Sequence, residues 1–153
     1  MTIYRITSEI YKDDISGNGA SIYGARWNSV GKRMLYTSEH ISLGILESLV
    51  HFTKNQIPQN LYLLHILLPN NIEVSEISLE KIKDKWANHI DYTQWIGDNF
   101  IENNQSLILK VPSVVVPEES NFLLNPIHKD FKKITIQKFE LLQLDERLMN
   151  IKQ

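Results

Sequence analysis

The feature that most constrains the fold of this 153-residue chain is one continuous apolar run. Residues 61–68 are interrupted only by His65, and the Pro-Asn-Asn that follows is typical of a turn. A run of this length bounded by turn residues indicates a strand buried inside a sheet rather than one exposed at its surface. The sequence therefore predicts a β-sheet in which residues 61–68 form a buried central strand.

Strand-like segments outnumber helical ones along the rest of the chain. Helix 41–52 is predicted from apolar residues at helical spacing, namely Ile41, Ile45, Leu49 and Phe52. The remaining predictions are helices at 78–86 and 93–103 and strands at 3–6, 33–38, 106–111, 114–116, 122–124 and 134–142. Because strands and helices do not alternate regularly, the predicted fold is α+β with a mixed or antiparallel sheet, in a single domain covering residues 1–153.

Composition narrows the possible function classes. Hydrophobic residues make up 42% and charged residues 22% of the chain, as in ordinary globular proteins. The formal net charge of −2 disfavours direct nucleic-acid binding, and the lack of cysteine excludes disulfides, thiolate zinc sites and cysteine nucleophiles. With no secretory signal pattern and no apolar run long enough to cross a bilayer, we expect a cytoplasmic protein without membrane contact.

The polar segment 13–32 is predicted to be a long functional loop. Four of the six glycines, Gly17, Gly19, Gly24 and Gly31, fall within it. Arg26, between two of these glycines, has the planar fork that suits a phosphate or carboxylate, but an exposed arginine on a mobile loop fits the local sequence equally. Trp27 is suited either to stacking on a ligand ring or to anchoring the loop in the core.

Three further polar positions have both a structural and a functional interpretation. Tyr36, near the end of a predicted strand, is suited to stacking, to hydrogen bonding or to a half-buried structural role. Glu47 projects opposite the Ile41–Ile45–Leu49 stripe, so it is either a solvated carboxylate or one that lines a cleft. Ser113 follows Pro112 at a predicted kink and lacks a Gly-x-Ser-x-Gly elbow, so a hydrogen-bonding role is favoured over a nucleophilic one.

The common cofactor motifs do not occur in this sequence. Its five histidines lack the spacing of a metal site, and no P-loop or dinucleotide-binding glycine pattern is present. We therefore expect neither a metal nor a prosthetic group.

The order of these motifs, more than any one of them, resembles a known family, the RES domain. The first half of the resemblance is Gly24-Ala25-Arg26-Trp27-Asn28-Ser29-Val30-Gly31, followed by Tyr36-Thr37 and Leu46-Glu47. The second half is Val111-Pro112-Ser113, then Asn121-Phe122-Leu123-Leu124-Asn125-Pro126 and His128. The resemblance covers nearly the whole chain.

The resemblance implies a toxin of a bacterial type II toxin–antitoxin module, with a fold similar to that of ADP-ribosyltransferases and a split mixed sheet. Members of the family degrade NAD⁺ by hydrolysis or phosphorolysis, or ADP-ribosylate a protein. The expected partner is an Xre-like helix-turn-helix antitoxin. It is expected to occlude the cleft, and the toxin is expected to contact DNA only indirectly, through this antitoxin. NAD⁺ is then a substrate and not a cofactor.

Carried over by position, the resemblance implies roles for individual residues. Arg26, Tyr36 and Glu47 become the catalytic set, and the substrate-binding set consists of Arg5, Trp27, Asn28, Ser113 and Asn125. Glu47 is expected to stabilise positive charge on the ribose, the arginines to hold the pyrophosphate or ribose, and Tyr36 to pack on the nicotinamide.

One departure from the family pattern is visible, because Ala25 replaces the second of two glycines before the arginine, which puts the loop path in question.

Other interpretations remain open at this stage. One is protein ADP-ribosylation with NAD⁺ as donor, and another is a non-catalytic module that binds a nucleotide or a partner. A ribonuclease built on His51 or His128 is disfavoured by the acidic balance and by the absence of a paired-histidine pattern.

Overall fold

A single mixed sheet organises the residues that the computed structural model describes, which are 1–53 and 56–150 with the side chain of Asn150 excluded. Its strands are β1 (Thr2–Ser8), β2 (Leu35–Ser38), β3 (Leu61–Leu67), β4 (Val74–Glu76), β5 (Ile108–Pro112), β6 (Ser120–Leu124) and β7 (Thr135–Leu142). The helices are α1 (Asn18–Tyr23), α2 (Ile41–His51), α3 (Ile90–Asn103) and α4 (Glu146–Asn150). Short 3₁₀ turns occur at Glu9–Tyr11, Trp86–Asn88 and Phe131–Lys133.

The sheet is split between two of its strands. The strand order is β4-β5-β6-β2-β1-β3-β7, with β4 and β5 parallel and the other neighbours antiparallel. β1 pairs with β3 along its whole length, whereas it meets β2 at one position, Tyr4 opposite Ser38. The two halves of the sheet therefore diverge beside β1, and the resulting gap is available to a ligand.

Apolar side chains cover both faces of the sheet. On β6, Phe122 and Leu124 belong to one buried cluster and Leu123 to the other, as the alternation of a strand requires. The first cluster also contains Ile3, Leu64 and Ile66 from β1 and β3. The second lies under α3 and contains, among others, Trp27, Trp86, Phe100 and Val111.

Most of the predicted elements are confirmed. The apolar run is strand β3, and the predicted helices 41–52 and 93–103 correspond to α2 and to most of α3. The α+β class with a mixed, split sheet is confirmed as well. Among the described helices, none combines the length and the apolar character needed to span a bilayer.

Two predicted elements are wrong. Residues 78–85 form turns and not an α-helix: the N–H groups of Lys81 and Ile82 close one turn on the Ser78 oxygen, and Lys85 adopts the left-handed conformation (φ 55°), which a right-handed helix does not contain. The prediction depended on Ser78 as a helix N-cap and on the charged residues that follow it, and both are equally compatible with exposed turns. Residues 114–116 form a turn and not a strand, because Val115 and Val116 donate their backbone N–H groups to the Ser113 hydroxyl.

Three short elements were not predicted. They are β4, α4 and the helix α1 within the segment taken as a continuous loop. Each spans six residues or fewer, so it carries too little periodicity to be recognised.

Candidate active site

A cavity of about 590 Å³ opens where β1 and β2 diverge. This volume is within the roughly 300–1,000 Å³ range of small-molecule sites. Its walls come from β1, from the loop after α1, from β2 and from α2, with Ile90, Pro112, Val114 and Asn121 completing the lining. Segments far apart in sequence therefore meet in one concave surface.

Arg5 of β1 lies in the gap of the sheet. Its Nη1 donates to the Tyr36 backbone oxygen over a long 3.4 Å. The guanidinium thus makes one hydrogen bond between β1 and β2 where the two strands are not paired through their backbones. Burial lowers the pKa of Arg5 from its ordinary value, and the negative charge of Asp14 partly opposes that shift. Arg5 thus brings a positive charge to the cavity wall, while its buried Nε has no acceptor among the described residues.

The Arg26 loop reaches the cavity by a glycine turn at the end of α1. Gly24 has φ 69°, a conformation that residues with a Cβ rarely adopt. Ala25 is not among the residues with positive φ, so a Cβ is compatible with its backbone conformation. The Arg26 Nη1 donates to the Ala87 oxygen at 2.9 Å, which holds the guanidinium at the cavity, and no other described residue accepts a hydrogen bond from that side chain.

Helix α3 holds this loop through three polar side chains. Thr93 donates its hydroxyl to the Arg26 oxygen (2.6 Å), and Gln94 donates its amide to the Ala25 oxygen (2.9 Å). Asp98 accepts the Ser29 backbone N–H at 2.9 Å. These contacts fix the loop backbone on both sides of Arg26.

A glycine permits the close approach of α3 to the same loop. A Cβ at Gly97 would overlap the Trp27 carbonyl oxygen. The loop backbone therefore packs directly on the helix backbone at this position.

Tyr36 connects the cavity with the same loop. It lines the cavity, while its hydroxyl accepts the Trp27 backbone N–H (3.0 Å) and donates to Asn28 Oδ1 (2.7 Å). Burial raises the pKa of the Tyr36 phenol far above its ordinary value, with a further contribution from Asp98. Tyr36 is therefore a neutral, hydrogen-bonded side chain and is not suited to act as a general base.

The other aromatic and amide side chains predicted at the site lie mostly within the protein. Trp27 is only 3% exposed and packs against Trp86, with ring centroids 5.7 Å apart, so it anchors the loop while one part lines the cavity. Asn28 is fully buried, and its amide donates to the backbone oxygens of Ala20 and Lys32.

Asn125 lies outside the cavity lining, where its amide donates to Asn104 Oδ1 and its Oδ1 accepts the Ile127 N–H. The structure thus places Asn28 and Asn125 in structural hydrogen-bond networks rather than in the cavity.

Glu47 lies on the cavity side of α2. The buried residues of this helix are Leu43, Gly44 and Leu49, so the face that carries Glu47 adjoins the sheet. Ser113 Oγ donates to Glu47 Oε1 at 2.8 Å, and Asn121 Nδ2 donates to the same oxygen at 2.6 Å. Among the described residues no hydrogen bond is made to Oε2, which leaves that oxygen for a ligand.

Ser113 is fixed as a donor by the turn that follows it. Its oxygen accepts the N–H groups of Val115 and Val116, both at 3.0 Å, so the hydroxyl proton is directed to Glu47. Ser113 itself is fully buried and does not line the cavity. Its only described contact with the cavity lining through its hydroxyl proton is therefore the bond to Glu47.

Sequence reasoning missed several residues that build the site. Asn121 was named only as part of the family resemblance, with no role of its own, although its side chain contacts Glu47. Thr93 and Gln94 carried no local signal, and Asp98 fits the family pattern without an assigned role, because the partners of all three are backbone groups some 70 residues earlier in the chain.

The two histidines considered for a ribonuclease are not brought together by the fold. His51 lines the cavity, whereas His128 is buried after β6 and accepts the Asp130 N–H. In the described part of the chain, no group of three or more His, Asp or Glu side chains is arranged to hold a metal ion.

Comparison with known proteins agrees with this geometry. The family model described as "RES domain" matches residues 2–147. The chain belongs to the RES domain family. The match spans the Arg26 loop, the cavity and the Glu47 hydrogen-bond network, so the whole candidate site of this RES domain lies within it.

Relatives of this RES domain include proteins named as toxins. "Toxin Res" of Photorhabdus laumondii is 34% identical over 157 aligned positions, covering 99% of each chain. "Prs ADP-ribosylating toxin" of Sphingobium sp. is 35% identical and covers 90% of this chain and 88% of its own. "Toxin Res" of Yersinia enterocolitica is 38% identical, with 86% of this chain and 88% of its own covered.

A solved structure shares the fold. A chain of the M. tuberculosis MbcT–MbcA toxin–antitoxin complex superposes with a TM-score of 0.75 over 99% of this chain and 88% of its own, at 13% identity. The RES domain therefore has the split mixed sheet with flanking helices of an ADP-ribosyltransferase-like fold.

Proposed function

We propose that this RES domain is the toxin of a toxin–antitoxin module and that it cleaves the nicotinamide–ribose bond of NAD⁺. The observation that carries the proposal is the Glu47 carboxylate, held by two donors on one oxygen, in a cavity that also contains Arg5 and Arg26. A fixed negative charge between walls that bear positive charge suits a dinucleotide with a pyrophosphate and a cationic leaving group. The toxin names of its relatives support the same conclusion.

Cleavage of this bond passes through an oxocarbenium-like ribose with nicotinamide as a neutral leaving group. Glu47 Oε2 contacts the nicotinamide ribose and stabilises the developing cation, while Oε1 stays bound to Ser113 and Asn121. Arg26 and Arg5 hold the pyrophosphate, and the Tyr36 ring packs against the nicotinamide. Addition of water to the ribose cation gives ADP-ribose and one proton, so growth stops through loss of NAD⁺.

Substitution of the carboxylate tests this mechanism. Glu47→Gln keeps the side-chain shape but removes the negative charge, so kcat for NAD⁺ loss should fall about 100-fold or more while the fold is retained. The assay follows NAD⁺ and nicotinamide with the purified chain, with and without phosphate. Glu80→Gln, on an exposed turn, serves as the matched control.

Full activity in a folded Glu47→Gln variant would refute the mechanism. Binding of NAD⁺ without any turnover by the wild-type chain would support a non-catalytic binding module instead.

A second activity is favoured by one relative. The Sphingobium protein is named an ADP-ribosylating toxin, and the same cation at the ribose can be captured by a protein side chain instead of water. Lysate incubated with labelled NAD⁺ separates the alternatives. A discrete labelled protein band indicates transfer, and soluble ADP-ribose with no such band indicates hydrolysis.

As a toxin, the protein requires an antitoxin that blocks its cavity, and we propose an Xre-like helix-turn-helix protein that also supplies all DNA binding. Occlusion of the cavity predicts that the purified complex turns over NAD⁺ far more slowly than the free toxin. Equal rates for the two would contradict occlusion. Intact cellular RNA during growth arrest would exclude a ribonuclease mechanism.

A further inference from the structure

Asn121 contacts the proposed catalytic carboxylate from a strand that had no expected role in the site. Its Nδ2 lies 2.6 Å from Glu47 Oε1, the shorter of the two hydrogen bonds that this oxygen accepts. β6 pairs with both β2 and β5, so Asn121 lies between Ser38 on one neighbouring strand and Val111, two residues before Ser113, on the other. The position of its amide is therefore set by the sheet and not by a flexible loop.

The orientation of the Asn121 amide is determined by its other partner. Ser38 Oγ donates to Asn121 Oδ1 at 2.9 Å, and Ser38 is the direct cross-strand neighbour of Asn121. An ionised carboxylate only accepts hydrogen bonds, so the NH₂ group of the amide must face Glu47 and the carbonyl must face Ser38. The buried Ser38 hydroxyl is thus the donor that holds this orientation.

Resting on the proposed function, we infer that Asn121, oriented by Ser38, is a positioning residue that sets the rotamer of Glu47 for bond cleavage. Ser113 and Asn121 both donate to Oε1, so the orientation of the carboxylate is fixed by two hydrogen bonds on one oxygen, and no described residue donates to Oε2. With Ser113 alone, the carboxylate is free to rotate about a single hydrogen bond. We therefore expect loss of the Asn121 amide to lower kcat and to leave the affinity for NAD⁺ nearly unchanged.

Removal of the amide tests the inference directly. Asn121→Leu should lower kcat for NAD⁺ cleavage roughly ten- to a hundredfold, the effect of one hydrogen bond to a charged group, with little change in KM. Ser120→Ala is the matched control, because the adjacent strand residue projects to the opposite face of the sheet. A folded Asn121→Leu variant with wild-type kcat would overturn the inference.

An isosteric variant gives a readout that a structural role would not produce. In Asn121→Asp a second carboxyl group faces Glu47. The new carboxyl group can donate a hydrogen bond to Glu47 only when one proton is bound between the two carboxyl groups. Its kcat relative to wild type should therefore be lowest at pH 8 and recover towards pH 5, as the pair takes up a proton. An unchanged ratio across that range would contradict the positioning role, and this variant decides the question even if Asn121→Leu does not fold.

A double-mutant cycle tests whether Ser38 acts through Asn121. Ser38→Ala should reduce kcat less than Asn121→Leu, and the double variant should be no slower than Asn121→Leu alone. Additive losses would show that Ser38 does not act through Asn121. A wild-type chain that leaves NAD⁺ intact would overturn the proposed function and this inference together, whereas an active wild type with an equally active Asn121→Leu would overturn this inference alone.

Discussion

The Tyr36 hydroxyl joins the cavity wall to the backbone of the Arg26 loop. It accepts from the Trp27 N–H and donates to Asn28, whose amide in turn holds the loop at Ala20 and Lys32. Tyr36, whose ring is predicted to pack on the substrate, therefore also stabilises the Arg26 loop through its hydroxyl group. Removal of the hydroxyl oxygen separates the effect of the ring from the effect of the hydrogen bonds.

Tyr36→Phe should lower the free energy of unfolding by about 1–3 kcal/mol at neutral pH, because the Trp27 N–H loses its buried acceptor. The ring stays in place, so affinity for NAD⁺ should change less than stability. Urea denaturation and NAD⁺ titration measure the two effects. A variant as stable as wild type would show that the hydroxyl does not anchor the loop.

The pH dependence of stability provides an independent check on the same phenol. Burial raises the pKa of Tyr36 in the folded protein, whereas the unfolded phenol ionises near pH 10. Its stabilising contribution is thus fully present below about pH 10 and is lost as pH rises further, because the unfolded state then binds fewer protons. Between about pH 9 and pH 11, stability should fall less steeply in Tyr36→Phe than in wild type.

At the scale of secondary structure, α3 determines the shape of the site without lining much of it. Thr93, Gln94 and Asp98 bind the loop backbone, and Gly97 allows the Trp27 carbonyl to approach the helix. The helix was predicted from its sequence, but its role was not. Only the packed structure shows that one face of α3 binds a loop that begins some 70 residues earlier.

Gly97→Ala tests this role of the helix. Alanine within a helix is ordinarily more stabilising than glycine by about 1 kcal/mol, but here the new Cβ displaces the loop and should cost about 1–3 kcal/mol. Gly19→Ala in α1 is the matched control, since its Cβ would meet open space. Thermal unfolding and NAD⁺ turnover should both decline in the first variant only. Equal stability of the two variants would contradict the close packing.

Helix α2 shows why periodicity alone did not place Glu47 at the cavity. Its apolar residues cover two faces, and the stripe that predicted the helix contains Ile41 and Ile45, which are only half-buried. At Gly44 the helix packs on β1 and β2, where a Cβ would lie 3.5 Å from Ile6 Cδ1 and 3.6 Å from Ser38 Oγ, which are ordinary contact distances. This packing places Glu47 at the cavity, a result that depends on partners outside the helix.

At the scale of the whole molecule, the split in the sheet creates the cavity that we propose as the binding site. β1 and β2 diverge after one paired position, and Arg5, Arg26 and Glu47 all line the space between them and the adjoining α2 and loop. A ligand that contacts these walls together should bind the folded state alone. Such binding couples ligand concentration to stability.

The Glu47→Gln variant makes this coupling measurable, because it should bind NAD⁺ without consuming it. At a concentration of NAD⁺ about 100 times Kd, the free energy of unfolding should rise by about 2.7 kcal/mol, seen as a higher Tm. Adding Arg26→Ala to this variant should reduce the shift at the same NAD⁺ concentration. A Tm that does not respond to NAD⁺ would contradict a binding site across the split.

The sequence by itself determined the α+β class, the buried strand β3, helices α2 and α3, and the ordered set of Arg26, Tyr36, Glu47 and Ser113, which identified the family. These features depend on local periodicity and on residue order along the chain. Only the tertiary structure decided that Asn121 and Ser113 share one oxygen of Glu47 and that Asn28 and Asn125 form hydrogen bonds within the protein, outside the cavity lining. It also decided that residues 78–85 do not form an α-helix. The physical reason is that hydrogen-bond partners and burial are set by segments distant in sequence, which no local pattern records.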